Sequence, residues 1–213
     1  MDSVSIKVCG ITRLKDARLA LELGAEKLGF ILHAKSPRKI EFDEIRRFQT
    51  ELALETKQMV AVEVAPEIED VREMLDQGFG NFQFHFPYDL SRKLIGKWAE
   101  MVDTENLWLA PRLPAGVDFP EDLLCFANTF LMDAYSEDKF GGTGVCSDWG
   151  KFSALQKSFS TKKWILAGGL SPTNIQAAIK STDARIVDVN SGVEQSPGVK
   201  DSQKLKRFFS KIQ

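Results

Sequence analysis

What most constrains this chain is a recurrence. A short β-prone run is followed by a segment with helical spacing, over and over, and no linker or low-complexity stretch intervenes. The runs are Ser5 to Cys9, Lys27 to Leu32, Met59 to Val64, Asn81 to Phe86, Leu107 to Ala110, Thr129 to Asp133, Lys163 to Ala167 and Arg185 to Val189. Between and after them apolar residues repeat with a helical period. Examples are Ala17, Ala20 and Leu21; Ile68, Val71 and Leu75; Ile175, Ala178 and Ile179; and finally Leu205, Phe208, Phe209 and Ile212. Ser171-Pro172 reads as an N-cap and first turn, and Gly78 as a helix stop. Eight β/α units within 213 residues point to an α/β fold, a single-domain (β/α)8 TIM barrel spanning residues 1–213. A doubly wound open sheet is the structural alternative, which the strand count disfavours.

Composition narrows the function classes. A net charge of −2 gives no field to attract nucleic acid or an anionic membrane, so a small anionic ligand must be held by local features. No apolar run approaches the roughly 20 residues of a membrane helix, and the first residues lack the pattern of a secretory signal. Three widely spaced cysteines argue against a disulfide framework and for a reducing compartment, with the cytoplasm as the expected location.

In a parallel α/β protein the residues ending each strand face the mouth where ligands bind. Cys9 ends the first run and is followed by turn and helix-start signals at Gly10 and Thr12. Alone, a cysteine there is more often packing than chemistry. Gly168-Gly169 after the seventh run and Asn190-Ser191-Gly192 after the eighth let the backbone approach an anion closely. Two such loops at those strands read as a phosphate cup, whereas each alone could be merely a tight turn. The stretch Asn81-Phe82-Gln83-Phe84-His85-Phe86 alternates strictly, which puts Gln83 and His85 inside the barrel and the phenylalanines under the helices. His85 reads there as a hydrogen-bonded supporting residue. Asp188 should point inward near the ligand, with a structural role equally open.

Further loop signatures fill in the pattern: Asp133 leading to Gly141-Gly142-Thr143-Gly144, the Leu28-Gly29-Phe30 and Ser36-Pro37-Arg38 segments, and Pro197-Gly198-Val199-Lys200-Asp201. With Lys7-Val8-Cys9-Gly10-Ile11-Thr12-Arg13 at the start, their order and spacing closely resemble the phosphoribosylanthranilate isomerase family of tryptophan biosynthesis, from about Ile6 to Asp201. The resemblance implies an Amadori rearrangement of N-(5-phosphoribosyl)anthranilate to 1-(2-carboxyphenylamino)-1-deoxyribulose 5-phosphate. It implies Cys9 as general base, Asp133 as general acid and Arg38 as the partner of the anthranilate carboxylate. Gly141-Gly142-Thr143-Gly144 would be a loop closing over substrate, while Cys125 and Cys146 would be structural or incidental. No cofactor or metal is expected, and a monomer or homodimer is compatible. Two other readings are an isomerase of a different N-substituted phosphoribosyl compound and a non-catalytic barrel that binds a phosphorylated ligand. Retention of both Cys9 and Asp133 speaks against the last.

Two expectations concern electrostatics. A free thiol has a pKa of about 8.5, so a cysteine base should have its value lowered by its surroundings. Glu63 stands where the family usually has an aromatic residue; Phe86-Pro87, the fifth strand and Asn190 also depart from the family pattern. Alternation places Glu63 with Ala61 inside the barrel, where a bare carboxylate would need a cation, Arg38 or Arg112.

Overall fold

The structure, a computed structural model, describes residues 4–114, 116–133 and 148–212. Eight strands form the ring: β1 (Ser5–Val8), β2 (Lys27–Ile31), β3 (Met59–Val64), β4 (Asn81–Pro87), β5 (Leu107–Arg112), β6 (Thr129–Met132), β7 (Lys163–Leu166) and β8 (Ile186–Val189). Every neighbouring pair is parallel, and β8 returns to β1 in register from Ser5↔Ile186 to Val8↔Val189. That last pairing closes the barrel and excludes an open sheet. Each strand ends within one or two residues of the run read from sequence.

Helices α1 (Leu14–Glu22), α2 (Phe42–Leu52), α3 (Ile68–Asp76) and α4 (Arg92–Val102) follow the first four strands. Helices α5 (Trp149–Ser158) and α6 (Ile175–Thr182) follow β6 and β7; after β8 a small hairpin, β9 (Glu194–Ser196) with β10 (Val199–Lys200), precedes α7 (Ser202–Ser210). Gly78 follows α3 at φ +77°, a conformation that costs glycine nothing and stops the helix. The buried stripe of α3 is Val71 and Met74, while Leu75 is 37% exposed, so the sequence stripe is rotated by one position. No helix among the described residues is long and apolar enough to cross a membrane.

The unit after β5 has a 3-10 turn (Glu121–Cys125) in place of an α-helix. Phe119 covers the barrel there, its ring 5.4 Å from that of Phe130 and 5.3 Å from that of Trp164.

The core is in two layers. Between strands and helices lie Phe82, Phe84, Phe86, Trp98, Phe130 and other large side chains. Inside the barrel a smaller set contains Cys9, Val60, Val62, Trp108, Ala110, Leu131, Ile165 and Ala167. Phenylalanines of β4 therefore face the helices, as alternation predicts. On β3 the expectation is reversed: Val60 and Val62 are interior and Ala61 is under the helices. Glu63 shares the parity of Ala61, and being one residue from the strand end it turns to the rim.

Candidate active site

The C-terminal ends of the strands open into a cavity of about 670 Å³. Cys9, Arg38, Asp133, Gly168, Gly169, Asp188, Asn190, Ser191 and Gly192 all line it, so the structure gathers every sequence-predicted site residue at one place. Strands β1 and β6 are separated around the ring by β7 and β8, which sets Cys9 and Asp133 on either side of the loops that follow those two strands.

Those loops press against each other. A Cβ on Gly192 would sit 1.9 Å from the Leu170 carbonyl oxygen, so only glycine permits this approach. Gly168 and Gly169 hold φ of +85° and +63°, a turn few other residues adopt. The helix start lies later than Ser171-Pro172 suggests. Helix α6 begins at Ile175, and residues 171–174 form a turn in which the Ser171 amide donates to Asn174 Oδ1 at 2.8 Å. The Asn174 and Ile175 amides both donate to the Ser171 carbonyl. Asparagine ties the segment to itself, which engages the amides of Ser171, Asn174 and Ile175 within the turn.

Cys9 is buried just past the end of β1, its amide bonded to the Val189 carbonyl. Lys7, fully enclosed, donates to Asp188 Oδ1 at 2.9 Å. Burial works against the Lys7 charge, but Asp188 and the Cys9 sulfur together outweigh it and keep the ammonium above its ordinary pKa. For Cys9 the expected lowering does not hold. Burial pushes the thiol up, and the opposing charge of Lys7 offsets this only in part. His85 hydrogen-bonds Gln83 at 2.8 Å, and burial brings its pKa down to about 4, so the ring is neutral.

Arg38 makes a forked contact with Glu194, Nε to Oε1 at 3.0 Å and Nη2 to Oε2 at 2.8 Å. Lys200 donates to the same carboxylate at 3.0 Å and to Asn190 Oδ1 at 2.9 Å. Burial alone would raise the Glu194 carboxyl; the Arg38 hydrogen bonds and the Lys200 charge hold it below its ordinary value. The Asn190 side chain is thus engaged by Lys200. Glu63 is paired with neither arginine: its Oε1 meets His33 Nδ1 at 2.7 Å and accepts from its neighbour's amide, Val64, at 2.7 Å. Gly141 to Gly144 and Cys146 lie outside the described residues.

Sequence reading gave no role to Lys7, His33, Glu194 or Lys200. For Lys7 a signal was present, since it stands two residues before Cys9 and must share its face of β1. His33 meets Glu63 from the neighbouring loop and Glu194 meets Arg38 across the β1–β8 seam, contacts that only the fold reveals, whereas Lys200 reaches Glu194 within the β9–β10 hairpin.

A closed parallel ring with helices outside and a cavity carrying titratable groups at the strand C-termini defines a (β/α)8-barrel enzyme. A family model described as N-(5'phosphoribosyl)anthranilate (PRA) isomerase matches residues 6–211, and the chain belongs to that family. It is 35% identical to the N-(5'-phosphoribosyl)anthranilate isomerase of Geobacter sp. (strain M21) over 211 residues, 96% of each chain. The crystal structure of phosphoribosyl anthranilate isomerase from Thermotoga maritima superimposes with a TM-score of 0.79 at 29% identity, covering 98% of both chains. A phosphoribosyl anthranilate isomerase in complex with reduced 1-(o-carboxyphenylamino)-1-deoxyribulose 5-phosphate is also similar, with a TM-score of 0.75, 29% identity and 98% coverage of both chains.

Proposed function

We propose that this protein converts N-(5-phosphoribosyl)anthranilate to 1-(2-carboxyphenylamino)-1-deoxyribulose 5-phosphate, with Asp133 as general acid and Cys9 as general base. The observation that carries the reading is the presence of both groups on one cavity, with the paired glycine loops of β7 and β8 between them. Phosphate is held by the backbones of Gly168, Gly169, Ser191 and Gly192, and this anchor fixes the ribose between the two side chains. Asp133 donates a proton to the ribose ring oxygen as the C1′–O bond breaks, which opens the ring to a Schiff base. Cys9, as thiolate, removes the C2′ proton; the resulting enolamine tautomerises to the ketone. Proton transfers account for the whole change.

Arg38 takes the anthranilate carboxylate. Its guanidinium is already oriented by Glu194, which reduces the ordering needed on binding, although the incoming carboxylate must share the cation. Asn190 acts through Lys200, and Asp188 through Lys7. The free thiols Cys9 and Cys125 fit a reducing cytoplasm. The test is direct: the protein is mixed with N-(5-phosphoribosyl)anthranilate and loss of its fluorescence is followed. Consumption with formation of the ketose product is expected. Unchanged fluorescence with a folded protein overturns the proposal.

A further inference from the structure

Lys7 is charged and enclosed, and the chemistry proposed above gives it no step. Its exposure is 1%, in a barrel interior otherwise filled largely by valine, alanine and isoleucine. An ammonium in such a place is costly unless its partners compensate it. One partner is Asp188, opposite Lys7 in the β1–β8 register and 2.9 Å from its Nζ. The second is the Cys9 sulfur. A Cβ added to Gly29 of β2 would lie 2.8 Å from Cys9 Sγ and 2.9 Å from Lys7 Nζ, so both atoms converge on the space that glycine leaves open.

We propose that Lys7 is a positioning residue for Cys9: its ammonium, divided between the Asp188 carboxylate and the Cys9 sulfur, stabilises the thiolate inside a closed barrel. This rests on the reading of Cys9 as the base. The charged groups acting on the sulfur are Lys7 from its own strand, Asp188 from β8 and Lys200 from β10; His85 of β4 is neutral. Lys200 is shared with Glu194, which also holds Arg38. Burial drives the thiol up, the two ammonium groups draw it down, and Asp188 drives it up again. The two members of the Lys7–Asp188 pair therefore act on the thiol with opposite sign.

The test measures alkylation of Cys9 by iodoacetamide as a function of pH in the free, full-length protein, with the Cys9 peptide followed by mass spectrometry. Lys7→Met should move the midpoint up by about one to two pH units, and Asp188→Asn should move it down by about one. In turnover at neutral pH, Lys7→Met should lose roughly tenfold in kcat for each unit of that rise, with KM little changed and activity regained at alkaline pH. Lys7→Met strands Asp188 and can fail to fold. In that event the double variant Lys7→Met/Asp188→Asn, which removes both charges, is compared with Asp188→Asn alone, and its midpoint should be the higher. Midpoints that stay put, or that move in the same direction for both single variants, overturn the proposal. If alkylation of Cys9 leaves turnover intact, the base assignment fails instead, and the midpoints still report separately on Lys7.

Discussion

Cys9 shows why a residue type alone does not make a base. Its thiol is buried in an apolar barrel that favours the neutral form, and only neighbouring cations offset this. On the proposed mechanism, Cys9→Ser and Asp133→Asn should each lower kcat by roughly 10²-fold or more, the scale of general acid–base catalysis, while KM moves little. Steady-state kinetics on both variants checks this; full activity in Cys9→Ser would make His85 the next candidate. His85 supports a second prediction, on stability. Its folded pKa of about 4 lies below the ordinary value near 6.5, so between those two pH values the unfolded chain binds the proton and the folded one does not. Its contribution is therefore complete above about pH 6.5 and is lost as pH falls toward 4, at a slope of up to about 1.4 kcal/mol per pH unit. Urea unfolding at pH 7 and pH 5 should show this loss, and His85→Gln should flatten that part of the curve. Cys9, Asp133 and Asp188 were legible because each ends or closes a strand. The partner of Glu63 was not: β3 turns Val60 and Val62 inward and Ala61 to the helices, a phase the apolar run from Met59 to Val62 does not reveal, and His33 comes from a different loop.

At the scale of elements, the strands were legible because a β-prone run bounded by turn residues must be a strand when helical periods flank it on both sides. Positions after the strands were less so. Ser171-Pro172 carries the chemistry of a helix start, yet the Asn174 side chain satisfies the Ser171 amide and delays the helix to Ile175. The fifth unit likewise has a 3-10 turn where an α-helix is expected, and Phe119, set against Phe130 and Trp164, covers that surface. The contact between the seventh and eighth loops yields a third prediction. Gly192→Ala puts a Cβ into the Leu170 carbonyl, and backbone must move. We expect a stability loss of about 1–3 kcal/mol, a raised KM for the phosphorylated substrate and weaker competition by inorganic phosphate. Thermal unfolding and inhibition kinetics measure these; wild-type inhibition by phosphate would place the anion elsewhere.

For the whole molecule, the ring has one seam, between β1 and β8, that cannot close until β8 is in place. Strand β1 begins the sequence and β8 ends the ring, and Cys9 depends on β8 for the backbone partner Val189, while its neighbour Lys7 depends on β8 for the counter-ion Asp188. Joining the two ends late in the sequence has an entropic cost that grows with the length of chain between them. The thiol can therefore serve as a clock for closure. During refolding, protection of Cys9 from alkylation should appear in the same kinetic phase as enzymatic activity, measured by pulse labelling and by turnover. A chain ending at residue 182, before β8, should label at Cys9 as readily as an unstructured peptide; slow labelling would mean that β1 gains its surroundings without its neighbour. A partly made or partly unfolded molecule thus presents an ordinary cysteine, and the reactive centre exists only in a chain whose first and eighth strands have met.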